Sequence, residues 1–237
     1  MSEWPRGQSH VVGVALLCCV AVVSMAAVAG SVGGIVSETA ANADVTRVAG
    51  ALNDAVGPAT GIGEGAVRVP FGAGRLHTVP RDVRVLDANG TVRRYRTNAV
   101  GFDAEGRGVT SIAGATVVRT QGWARVARPV RATATPGALV LDLVVVDGDV
   151  DVSGRGGGVT LRTNATVTRE SFDGGAYRVA IETRQPAAFV RYYERDGATG
   201  TVVGERDFDG DGIPSVVVAY PPTSRAYVVV RAVEVAV

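Results

Sequence analysis

Residues 11–36 read VVGVALLCCVAVVSMAAVAGSVGGIV, a run of 26 without one charged side chain. At about 1.5 Å of rise per residue, a helix of that length exceeds the roughly 30 Å hydrocarbon core of a bilayer. The pattern therefore predicts a membrane-inserted helix. Beyond it the apolar positions thin to every third or fourth residue, Val45, Val48, Ala49, Leu52 and Val56. Asp44, Arg47, Asn53 and Asp54 fall off that stripe, which predicts an amphipathic continuation of the same helix. Gly57-Pro58 ends it, because Gly suits a helix C-cap and Pro cannot continue the hydrogen-bond ladder. One helix is expected over residues 8–57, apolar first and amphipathic after.

Residues 58–65 are rich in Gly and Thr and read as a linker. From residue 66 the period changes to two, with short runs rich in Val, Thr and Arg between turn dipeptides. Strands are expected at 67–69, 83–86, 91–96, 115–119, 123–127, 138–146, 159–169, 176–183, 215–220 and 226–237. Asn89-Gly90 marks a hairpin, since both residues tolerate positive φ. The segment 138–146, ALVLDLVVV, is the most apolar strand and is placed at the centre of the core. Pro186 followed by AAFVRYYER predicts a short crossover helix, with Phe189, Val190 and Tyr193 facing the sheet. The fold class is α+β: a long N-terminal membrane or assembly helix, then a mostly antiparallel, sandwich-like β domain over 66–237 with one short helix.

Three N-terminal devices share an apolar centre. A cleaved secretory signal would end at Ala27-Val28-Ala29, before Gly30. An uncleaved anchor would simply remain in the bilayer. A prepilin-type leader would be cut upstream of the run. Here Arg6-Gly7-Gln8-Ser9, followed by His10-Val11-Val12-Gly13-Val14-Ala15-Leu16-Leu17, resembles the N-terminus of haloarchaeal type IV pilin-like proteins. The resemblance covers about the first 35 residues. It implies a cytoplasmic leader, residues 1–7, removed between Gly7 and Gln8 by a prepilin peptidase, with Arg6, Gly7, Gln8 and Ser9 as the processing residues. It also implies a β domain outside the cell and partners in the lipid bilayer, other pilin-like subunits and the pilus assembly machinery. Val12 occupies the fifth mature position, where many pilins carry a Glu that docks on a neighbour's N-terminal amine. That difference implies a minor subunit rather than a major one. The alternative is an uncleaved anchored domain that binds a partner or a surface glycan.

Composition narrows the function classes. A net charge of +1 argues against nucleic acid as a partner. All 24 basic residues are Arg, and ten of them fall between positions 81 and 131 against four acids, a pattern expected on the wet faces of strands. Cys18 and Cys19 both lie in the apolar run, so no disulfide framework is expected for the domain. The two histidines of the chain, His10 and His77, do not make a zinc site, and His77 has no nucleophile motif beside it. The expectation is a structural protein without enzymatic activity or cofactor.

Three motifs remain. Gly154–Gly158, GRGGG, precedes a strand rather than a helix, so it reads as a flexible hairpin loop and not as a phosphate cradle. In Asp207-Phe208-Asp209-Gly210-Asp211-Gly212, Asp alternates as in a calcium loop, but positions nine and twelve fall on Ser215 and Val218. An acidic hairpin turn is the favoured reading, and no metal site is assigned. Asn89-Gly90-Thr91 and Asn164-Ala165-Thr166 are N-glycosylation sequons, making Asn89 and Asn164 candidate acceptors.

Overall fold

The computed structural model describes residues 8–195 and 197–237 and, within its helices and strands, every side chain except those of residues 8–15, 26–38, 40 and 155. The chain divides into two units, Met1–Asn42 and Ala43–Val237. Helix α1 spans Gln8–Val56. Among the described residues no helix is long and apolar enough to cross a membrane. Of the predicted insertion run, side chains are described for residues 16–25, and all ten are exposed.

From Ala43 onward α1 belongs to the β-rich unit, and Val45, Val48, Leu52 and Val56 of the expected stripe are buried in the core together with Ala51 and Ala55, while Ala49 is half-buried. Asp44 departs from the expectation that it faces water: it is buried, forms an ion pair with Arg47, and its Oδ2 accepts the Gly72 amide at 2.6 Å. A Cβ at residue 72 would stand 2.9 Å from that oxygen, so glycine permits the approach. The helix stops at Val56, and the Thr60 amide and hydroxyl both donate to the Gly57 carbonyl, at 3.1 and 2.8 Å.

The strands form two sheets. The first has the order β1-β10-β14-β8-β7, with β1 at Gly63–Val69, β7 at Arg131–Ala134, β8 at Leu139–Asp147, β10 at Val159–Phe172 and β14 at Ala226–Ala236. Its pairs are antiparallel except β14 with β8. The second sheet has the order β12-β13-β11-β2-β3-β4-β5-β6. Its strands are β2 (Ala73–Leu86), β3 (Thr91–Ala104), β4 (Arg107–Ile112), β5 (Ala115–Thr120), β6 (Trp123–Arg128), β11 (Arg178–Glu182), β12 (Thr201–Arg206) and β13 (Ser215–Ala219). A further strand, β9 (Asp151–Arg155), pairs with the start of β2 on the edge that β11 takes up farther along. Helix α2, Pro186–Tyr193, carries the crossover from β11 over β13 to β12. It buries Ala188, Phe189 and Tyr193, while the predicted Val190 is only half-buried.

Two apolar cores hold the sheets together. One gathers Val83, Val85, Val179, Ile181, Val216 and Val218 from the second sheet against Leu139, Leu141, Leu143 and Val228 from the first. The other gathers Val48, Leu52 and Val56 of α1 with Phe102, Val146, Leu161 and Val235. Leu143 belongs to the first core and its neighbour Val144 to the second. Because successive strand side chains point to opposite faces, β8 buries one face at its start and the other at its end. Hence its sequence reads as a continuous apolar run, although it lies next to the edge of its sheet.

Two loops differ from their sequence reading. Strand β1 begins at Gly63, inside the expected linker. The turn at Gly156–Gly158 does not close a hairpin: β9 pairs with β2 and β10 with β1, so it carries the chain from one sheet to the other. Gly158 has φ +84°, and a Cβ there would strike the Val69 carbonyl, which fixes glycine at this crossing.

Candidate functional site: the charged sheet face under the 207–212 loop

Strands β2, β3, β11 and β13 place their apolar residues on one face, with Val83 beside Tyr95 and Ile181 beside both Val83 and Val216. The alternate positions carry charge. Asp82 lies opposite Arg96, Arg84 opposite Arg94, and Glu182 opposite Ser215. Asp82, Arg84, Glu182 and Ser215 are nonetheless buried. What covers this region is the β12–β13 connection, residues 207–214.

The loop is rigidified from within. Asp207 accepts the amides of Asp209, Gly210 and Gly212 at 3.3, 2.7 and 3.0 Å. These bonds hold its carboxyl below the usual Asp range, because amide donors favour the charged form. Asp211 Oδ1 accepts the Ile213 amide at 2.8 Å. The guanidinium groups of Arg84 and Arg206 each stand over the Phe208 ring, 4.9 Å from its centre.

The loop is then bound to the sheet by charge. Arg84 Nη2 donates to Asp82 at 2.6 Å and to Asp209 at 3.0 Å. Arg94 pairs with Asp82 and stands 3.7 Å from Asp209. Glu182 lies 3.7 Å from Arg81 and accepts the Asp82 amide at 3.2 Å. Burial pushes the Glu182 carboxyl above the usual Glu range, assisted by the negative charges of Asp211 and Asp209 and opposed by Arg81 and by the Asp82 amide. The Arg84 Nη1 and Ser215 Oγ atoms, both withdrawn from solvent, have no hydrogen-bond partner among the described residues. Beside the network opens a cavity of about 310 Å³, lined by Arg81, Arg94, Arg96, Asp147, Glu182 and Asp211 among others.

Carboxylate oxygens of Asp82, Glu182 and Asp209 come within 4.8 Å of one another, as do those of Asp207, Asp209 and Asp211. Arg84 and Arg94 already neutralise Asp82 and Asp209, and Asp207 is engaged by the loop's own amides. At the Asp82–Glu182–Asp209 group a cation would compete with both guanidinium groups. The arrangement is suited to pinning a loop across a sheet face.

The other candidates lie apart from it. Arg6 and Gly7 fall outside the described residues; Gln8 and Ser9 begin α1, with side chains not described. His77 sits on β2 against Gly101, with Nε2 3.8 Å from Asp103, which also pairs with Arg119. Asn89 is exposed in the β2–β3 turn and Asn164 is exposed on β10. The buried network escaped sequence reading, although Asp82-x-Arg84 and Arg94-x-Arg96, two residues apart on the arms of one hairpin, were its visible trace.

A family model described as a family of unknown function (DUF7289) matches residues 6–236. The chain belongs to that family. The match takes in the residues of α1 as well as those of the β-rich unit. No curated protein and no solved structure matches the chain.

Proposed function

We propose that this chain is a minor pilin-like subunit of an archaeal type IV pilus-like surface structure, structural rather than catalytic. Its leader, residues 1–7, is removed at Gly7–Gln8 by a prepilin peptidase. The first half of α1 lies in the cell membrane or a filament core, in contact with lipid and with other pilin-like subunits. The β domain stands outside, with the N-terminus on the cytoplasmic side. The observation that carries this reading is the contrast along α1: residues 16–25 are apolar and exposed, whereas Val45–Val56 holds the helix in a β-rich core. Left in water, each exposed Leu or Val would forgo about 1.5–3 kcal/mol of burial, so that half requires a cover. The RGQS sequence before it supplies the processing signal.

A second reading is an uncleaved anchored domain that binds a partner or surface glycan. It is favoured by Val12, which lacks the acid used in subunit docking, and by the charged cavity beside the loop. Shearing cells and separating the released filaments from membranes divides the two. A subunit is recovered with the sheared filaments; an anchor is confined to membranes, and that result would contradict the filament assignment.

A further inference from the structure

The two sequons differ in what their backbones are doing, although both asparagines are exposed. Asn89 lies in the turn between β2 and β3. The bonds around it are internal to four residues: Asp87 N–H to the Gly90 carbonyl at 2.9 Å, and the amides of Asn89 and Gly90 to Asp87 Oδ1 at 2.7 and 3.0 Å. Thr91 is exposed, and Gly90, at φ +134°, has open space where a side chain would project. The base of the turn is held by Arg178, which donates to the Asp87 carbonyl at 2.9 Å. Thr91 begins β3 and pairs with Leu86 as the last pair of the hairpin, with a strand neighbour on that side only, so a transferase can take up Asn89-Gly90-Thr91 by fraying one terminal pair.

Asn164 has neighbours on both sides. It pairs with Glu64 on β1 and with Glu234 on β14, and Thr166 pairs with Ala232. Lifting this sequon into another protein's groove would unzip β10 from two strands at once, a cost approaching that of opening the sheet.

We infer that Asn89 is an N-glycan acceptor in the folded protein and that Asn164 is not, an assignment that rests on the β domain lying outside the cell. In the reaction, Asn89 Nδ2 bonds to the anomeric carbon of a sugar carried on a lipid phosphate. The bond from that carbon to the phosphate oxygen breaks, the lipid phosphate leaves with the electron pair, and Nδ2 gives up one proton to a base of the transferase or to water. No oxidant or reductant takes part. Nδ2 keeps its second hydrogen, and with it the long 3.4 Å contact to Asp87 Oδ2.

The test is glycopeptide mass spectrometry of the full chain purified from its own cells, alongside digestion of intact cells by an external protease. A sugar mass on the Asn89 peptide is expected, absent in Asn89→Gln and in Thr91→Ala and retained in Asn164→Gln, with the Asn164 peptide bare. Sugar at both sites, or at Asn164 alone, overturns the inference. A bare Asn89 in a domain that external protease cleaves overturns it while leaving the proposed function intact. A bare Asn89 in a domain shielded from that protease overturns both.

Discussion

The two halves of α1 use the same residue types for opposite ends. Leu16, Leu17, Val20, Val22, Val23 and Met25 are 61–74% exposed, while Val48, Leu52 and Val56 are completely buried. Propensity does not separate them, since both are continuous helix. What separates them is spacing and partners. After residue 43 the apolar positions keep to one stripe and meet Phe102, Leu161 and Val235. Over residues 16–25 the described side chains are exposed on every side of the helix, with no apolar partner in the β-rich unit. The comparison assigns the second half to domain stability and the first to something outside the domain.

Substitutions break that comparison one half at a time. The largest effect is expected from Leu52→Ala, which empties a fully buried site between helix and sheets. It should cost about 2–5 kcal/mol of β-domain stability, read by denaturant unfolding of detergent-solubilised protein; a loss under about 1 kcal/mol would mean that the helix end is not part of the core. Next is Val20→Asp, in the exposed half. It should leave the unfolding midpoint of the β domain unchanged while disfavouring membrane insertion by about 3 kcal/mol, roughly a hundredfold. Undiminished recovery in membranes and filaments would show that this half needs no apolar cover.

The smallest effect is far from the helix and serves as a control. Burial raises the Glu182 carboxyl above its ordinary value, so the folded state holds that proton more tightly than the unfolded chain does. Its contribution is favourable below the ordinary Glu range and is lost as pH rises through the elevated one. Glu182→Gln should therefore remove a fall in stability across that window without altering membrane recovery. A pH profile unchanged by the substitution would show that the buried carboxyl does not titrate differently on folding.

Much of the fold was legible because it rests on local patterns. The stripe Val45, Val48, Leu52, Val56 and the breaker Gly57-Pro58 located the helix end, and Asn89-Gly90 located its hairpin. Strands β4, β7, β9 and β12 were missed. They are four to six residues long, and β12 has one wet face after another, so neither gives alternation a length over which to show. The early part of β2 was hidden by Pro80. The charged face was illegible for another reason. Asp82 and Arg84 look like residues facing water, and only the return of the 207–212 loop across the sheet buries them. That contact joins residues 125 apart in sequence, which no local pattern encodes.

The central claim is that α1 is kept and used as an assembly helix after its leader is removed. The most direct measurement is the mature N-terminus, by mass spectrometry of protein extracted from membranes. A chain beginning at Gln8 is the predicted result. An intact Met1 would leave an anchored surface domain in place of a processed subunit, and a chain beginning at Gly30 would contradict the account outright, because the apolar half of the helix would then be discarded.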